Sequence, residues 1–187
     1  MILRQMMLYS FPLLLTLTTV PVLEAYILKR KPSLMWHGAW LPFIVSILFS
    51  RAVIVGLPKP QGLGLYAAAI RFAIHAGLCL IGFLLYTWAL QHAPPTGLPP
   101  LHHWWAKVLM YLNLCLMGLH FLPLPSMVMG ELVLRIKPLR PFSLWFQSHD
   151  KFIWVPLLIL LVTPLLDMFL GGVIIFPVYE FLASLAT

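Results

Sequence analysis

Apolar residues fall into long runs separated by short polar stretches, and this pattern predicts membrane-spanning helices. A run of about 20 residues crosses a hydrocarbon core of about 30 Å. Nothing in the chain shows the strict alternation of a membrane β-barrel. We therefore expect an all-α polytopic membrane bundle forming a single domain over residues 1–187, with about five spans (between four and six). The expected spans are Met7–Leu28, Leu34–Leu57, Leu65–Leu90, Lys107–Pro123 with a half-helix through Ile136, and Phe152–Leu170.

The fourth run is broken within its apolar stretch by Pro123 and Pro125. Proline lacks an amide donor and clashes with the preceding helical turn. Broken backbone at membrane depth is tolerated only where protein or a water-filled cavity covers it. We expect a broken or re-entrant segment here, enclosed by the other spans. The candidates for lining a groove or contacting a partner are Asn113, His120, Pro123, Pro125 and Gly130.

The regions flanking the runs give further expectations. The proline-rich stretch from His92 to Trp105 is expected to be an extended loop with aromatic residues at the membrane interface. Gly171-Gly172 can bend the chain, and the tail beyond it is expected to be either an interfacial helix or a continuation of the span. Cys79 and Cys115 lie inside predicted spans, which argues against a structural disulfide.

The composition excludes a soluble domain. Hydrophobic residues make up 61% of the chain and charged residues 9%, with mean hydropathy +0.96, whereas soluble domains carry about 25% charged residues. The net charge of +7 comes from short loops, where basic residues act as topology signals and contact lipid headgroups rather than nucleic acid. We expect an integral protein of a bacterial inner membrane.

A few ionisable residues lie inside the runs: Arg51, Arg71 and Asp167, with Glu24 near the end of the first run. Such groups are candidates for a transport pathway, so a small transporter is one alternative. Snorkelling to the interface explains most of these residues and ion pairing explains Asp167, and this is the interpretation that we favour. We expect Glu24 to reach the interface or the basic cluster Lys29–Lys31, and Asp167 to pair with Arg51 or Arg71.

Histidines are the other candidates for chemistry. The weak metal-ligand candidates are His75, His120, His102 and His103. No H-E-x-x-H zinc motif is present. His102 and His103 are adjacent, and on a helix their side chains would point about 100° apart, which does not suit a shared metal ion. His75 and His120 are the deepest pair, and paired intramembrane histidines can ligate haem. No cofactor is predicted, and a haem- or metal-binding redox protein is the alternative.

Several segments resemble site-2 proteases, the intramembrane zinc metalloproteases. His120 to Glu131, HFLPLPSMVMGE, is similar to the family's N-L-L-P-I-P-P-L-D-G-G segment. Gly56 to Pro60 resembles the family's G-x-x-K-P, and Phe152 to Pro177 resembles its closing helix and tail. The resemblance implies a helical scaffold with a groove for another transmembrane helix.

The departures from the family concern its zinc site. Residues Thr18–Val22 stand where the family carries H-E-x-x-H, Val128 replaces the ligating Asp, and His120 replaces the Asn. A zinc-activated water needs those ligands. The resemblance therefore implies a non-catalytic relative. We predict a non-enzymatic accessory, structural or assembly subunit that binds lipids and the transmembrane helices of a larger membrane complex.

Overall fold

The computed structural model describes residues 2–30, 64–92, 99–124, 126–148 and 167–186. Regular structure in these ranges is helical throughout, which confirms the all-α class. The helices are α1 (Ile2–Ile27), α2 (Leu65–Gln91), α3 (Leu101–Leu119), α4 (Val128–Val133), α5 (Arg140–Ser148), a π-helix (Asp167–Ile175) and α6 (Phe176–Ala186).

Two of these helices are long and apolar enough to cross a membrane, namely Met7–Ile27 within α1 and the whole of α2. A shorter apolar stretch covers Gly171–Leu185. The predicted second span, which includes Arg51, lies outside the described residues, as does most of the predicted fifth. Pro12 and Pro21 lie inside α1 without ending it, as transmembrane helices tolerate.

The centre of the fold is α3, which packs against both α1 and α2. Its middle turn is buried all round, since every residue from Leu112 to Leu116 is buried. A Cβ atom added to Gly82 of α2 would lie 2.5 Å from the backbone nitrogen of Met110 in α3. Glycine at this position therefore sets how closely the two helices approach.

α3 begins earlier than expected. His102, His103, Trp104 and Trp105 form its first turns, so their predicted place in an extended interfacial loop is wrong. Pro100 lies immediately before the helix in an extended conformation, and proline is well tolerated at a helix start because its missing amide would be unpaired there. Pro100 is therefore compatible with a helix that begins at Leu101, and the loop does not extend to Trp105.

The predicted break is present. α3 ends at Leu119 and helical structure resumes at Val128. The Met129 amide donates to the carbonyl of His120 at 3.0 Å, and Gly130 lies directly against the carbonyl of Leu124. α4 is shorter than the expected half-helix through Ile136, since it ends at Val133.

The C-terminal part is helical both through the glycine pair and beyond it. Gly171 and Gly172 lie inside the π-helix, which leads directly into α6. The π-helix packs on α3, where Ile175 lies 3.4 Å from the position a Cβ would take at Gly118. π-helices are usually single-turn insertions, so a nine-residue one is unusual.

Candidate functional site

A buried polar network links the three main helices. Asn113 of α3 is 0% exposed and Thr16 of α1 is 1% exposed. The Asn113 side-chain nitrogen donates to the Thr16 hydroxyl at 3.1 Å and to the Leu109 carbonyl at 2.9 Å. Its oxygen lies 2.9 Å from Nδ1 of His75 in α2. The network meets the requirement that buried polar groups be hydrogen-bonded.

This arrangement fixes the tautomer of His75. Both hydrogens of the Asn113 amide are used on Thr16 and Leu109, so the amide oxygen faces the imidazole as an acceptor. His75 therefore donates from Nδ1. Its Nε2 carries the lone pair, as in a neutral imidazole whose other nitrogen is protonated.

His120 lies beside His75, with ring centroids 6.1 Å apart. It is the residue that caps the C-terminal end of α3, and it is 3% exposed. The Phe72 ring packs against His120 in a T-shaped arrangement, with ring centroids 5.6 Å apart. Nδ1 of His120 is buried and has no hydrogen-bond partner among the described residues.

An ion pair lies one helical turn before His75 on α2. Arg71 donates from two nitrogens to the Glu24 carboxylate of α1 at 2.9 and 3.0 Å. The two side chains are only 12% and 13% exposed. The expectation that Glu24 reaches the interface or pairs with Lys29–Lys31 is therefore wrong. The α1–α2 packing brings the guanidinium of Arg71 within 3.0 Å of the Glu24 carboxylate.

The other two candidate histidines do not join this pair. His103 is buried next to Tyr86, with centroids 5.1 Å apart, and Tyr86 lies about 16 Å along α2 from His75 at 1.5 Å per residue. His102 is exposed near Trp88. Within the described part of the chain, no three His, Cys, Asp or Glu side chains could hold a metal together.

The remaining candidates are scattered. Pro123 is exposed and Gly130 is buried, while Pro125 and Arg51 lie outside the described residues. Asp167 is the first residue of the π-helix. The partner of Arg71 among the described side chains is Glu24, and the expected pairing of Asp167 concerns a side chain outside that description.

Sequence reasoning missed Thr16 and an apolar cleft of about 370 Å³ between α1, α2 and α3. Aromatic side chains from all three helices meet at the cleft, and Trp105 also donates to the Met7 carbonyl at 2.9 Å. No spacing rule separates a threonine that bonds across helices from one that bonds its own helix, as Thr18 does. The cleft is lined by Phe11, Pro12, Leu15, Ile81, Leu85, Trp88, His102, Trp105, Ala106 and Leu109.

Comparison of the chain with protein-family models, curated proteins and solved structures gave no match. The resemblance to site-2 proteases therefore stays a prediction that rests on the quoted segments.

Proposed function

We propose that this chain is a non-enzymatic integral membrane protein, an accessory or assembly subunit that binds the transmembrane helices of a larger complex. The observation that carries the proposal is the distribution of polarity. Charged and polar side chains of α1–α3 bond each other inside the bundle. Large apolar side chains lie outside, and on α2 these include Leu80 and Leu84.

That distribution suits a hydrocarbon solvent. Polar groups inside a membrane face the bundle interior and pair with one another, while lipid covers the apolar exterior. An exposed apolar surface of this extent is a liability in water. A polytopic bundle of about five spans in a bacterial inner membrane is the architecture that we propose.

The outer face of α2 also suits helix–helix contact. Three small residues spaced four apart have exposed surfaces on this face, namely Ala69, Ala73 and Gly77. Small residues at this spacing let transmembrane helices approach closely. A Cβ atom at Gly77 would have nothing within 4 Å. This face is therefore the proposed contact for a partner helix.

The buried polar residues support a structural rather than a catalytic role. Asn113 and Thr16 bond each other and His75, and Glu24 is held by Arg71. In the site-2 protease scaffold that the sequence resembles, the ligating Asp would stand at Val128. On this proposal the chain keeps that scaffold and its helix-binding role without the zinc chemistry.

The test is the mass and composition of the particle extracted from its native membrane in mild detergent, compared with the 21.3 kDa chain. We expect specific larger subunits to co-purify. Gly77→Leu should reduce their recovery without unfolding the chain, because the added side chain points into open space. Gly172→Leu, also at an open position, is the matched control and should retain them. A particle containing only this chain would contradict the proposal.

A further inference from the structure

The histidine pair between α2 and α3 has the separation of two ligands on one metal ion. Two imidazole nitrogens on opposite sides of an ion lie about 4 Å apart at metal–nitrogen bonds of about 2 Å. Each nitrogen lies about 1 Å from its ring centre, so the ring centres then lie about 6 Å apart. The centroids of His75 and His120 are 6.1 Å apart. We propose that these two imidazoles hold a single copper(I) ion.

The hydrogen bonds around His75 match those of a metal ligand. Ligating histidines nearly always donate their second ring nitrogen to an oxygen acceptor, which fixes the tautomer and the ring orientation. Nδ1 of His75 donates to Asn113 at 2.9 Å, and Asn113 is held in turn by Thr16 and Leu109. Nε2 of His75 is therefore a preorganised donor.

His120 supplies a second nitrogen that the fold leaves unused. Its Nδ1 is buried and finds no hydrogen-bond partner in the described ranges. A buried polar atom in this state costs about 1–3 kcal/mol. Coordination to a metal would satisfy it. Phe72, in T-shaped contact with the His120 ring, places an apolar group beside the pair.

The surroundings favour a monovalent ion with few ligands. Zinc in proteins is almost always four-coordinate, and no three ligating side chains assemble in the described ranges. Burying a charge is costly, and the cost is smaller for a single charge than for a double one. The neighbouring Arg71 is neutralised by Glu24, which reduces its repulsion of a cation. Imidazole is a suitable ligand for copper, and copper(I) accepts two-coordinate geometry.

The experiment titrates the purified full-length chain in detergent with copper(I), kept reduced by ascorbate, against a chromogenic copper(I) chelator. We expect one ion per chain. His120→Phe keeps a ring beside Phe72 and should weaken binding at least about tenfold, the lower end for a disturbed metal site. His103→Gln and Cys79→Ser are controls, because neither residue belongs to the pair, and both should bind as the unchanged chain does.

X-ray absorption of the copper-loaded unchanged chain gives a measurement that does not depend on any variant folding. Two nitrogen neighbours at about 2 Å would support the site. Sulfur neighbours would overturn it and would place the ion on the free thiols of Cys79 and Cys115. Binding that survives His120→Phe, or the absence of stoichiometric copper, would equally overturn it.

Discussion

Arg71 and Glu24 are 47 residues apart in sequence and form a two-pronged ion pair, with nitrogen–oxygen distances of 2.9–3.0 Å. The pair joins α1 to α2 on the same side of α2 as His75, one helical turn away. Both charged side chains are largely buried, so each charge depends on the other for its stabilisation. The pair therefore sets the register of α1 against α2.

Removing one partner should be more harmful than removing both. Glu24→Leu leaves a guanidinium without its carboxylate, and we expect a loss of about 3 kcal/mol in the free energy of unfolding. The double variant Glu24→Leu/Arg71→Met should recover most of that loss, because well-packed apolar residues replace buried ion pairs at little cost. Unfolding in mixed detergent micelles, followed by circular dichroism, measures both.

Glu180→Gln is the control for that pair, since Glu180 is exposed on α6 and its change should be nearly neutral. If Glu24→Leu proves as mild as Glu180→Gln, the ion pair does not stabilise the α1–α2 packing.

Two glycines of α2 give a matched test of helix packing. Gly82→Ala places a Cβ atom 2.5 Å from the Met110 nitrogen, so α3 must move, and overpacking of this kind costs about 1–3 kcal/mol. Gly77→Ala meets nothing within 4 Å and should be neutral or stabilising by up to about 1 kcal/mol, the difference in helix propensity. Thermal unfolding of the two variants in one detergent compares them. Equal melting temperatures would show that α2 and α3 are less closely packed than described.

The Asn113 network should be strongly sensitive to loss of its central residue. Asn113→Leu removes the acceptor of His75 and the donor to Thr16, leaving buried polar groups unpaired, which costs about 1–3 kcal/mol for each group. Thr16→Val leaves one amide hydrogen of the buried Asn113 unpaired and should cost about 1–3 kcal/mol, less than Asn113→Leu because fewer groups lose their partner. Thr18→Val is the control, because Thr18 bonds carbonyls of its own helix at an exposed position. The loss in free energy of unfolding should be largest for Asn113→Leu, smaller for Thr16→Val and smallest for Thr18→Val. An Asn113→Leu variant as stable as the unchanged chain would contradict the network.

The fold class and the helix break could be predicted from sequence because both follow from local chemistry. Apolar runs of about 20 residues predict spanning helices such as α1 and α2. Two prolines only two residues apart, Pro123 and Pro125, favour a helix break more strongly than the isolated prolines of α1. The site could be predicted only in part. The sequence marks His75, Asn113 and His120 as polar residues within apolar runs, but nothing local shows that they meet. The sequence favours Lys29–Lys31 as partners of Glu24 because they are near along the chain, whereas Arg71 comes near only after α1 packs on α2.

The turn between α3 and α4 should depend on Gly130. Any Cβ atom there would collide with the Leu124 carbonyl, and Ser126 already adopts a positive φ of 64°, so the reversal has little freedom to adjust. Gly130→Ala should cost about 3 kcal/mol or more, as other strained core changes do. Gly172→Ala, at an open position of the π-helix, is the control. Limited proteolysis near residues 120–130 should detect opening of the turn, and unchanged cleavage would contradict this packing.

Lys107 of α3 joins the C-terminal helix to the rest of the bundle through its ammonium group. The nitrogen lies 5.9 Å from the ring centre of Tyr86 on α2, and 6.0 Å from those of Trp104 on α3 and Tyr179 on α6. Each such contact contributes about 0.5–1 kcal/mol at exposed sites.

Lys107→Met keeps the aliphatic stem but removes the charge, so α6 should loosen while α2 and α3 stay packed. Only the Tyr179 contact reaches α6, so amide hydrogen exchange would then rise in Phe176–Ala186 by about twofold to fivefold, for a loss of about 0.5–1 kcal/mol. Lys137→Met, at an exposed position, should leave exchange unchanged. Equal protection of α6 in both variants would show that apolar contacts alone, such as Ile175 against Gly118, hold this part of the chain in place.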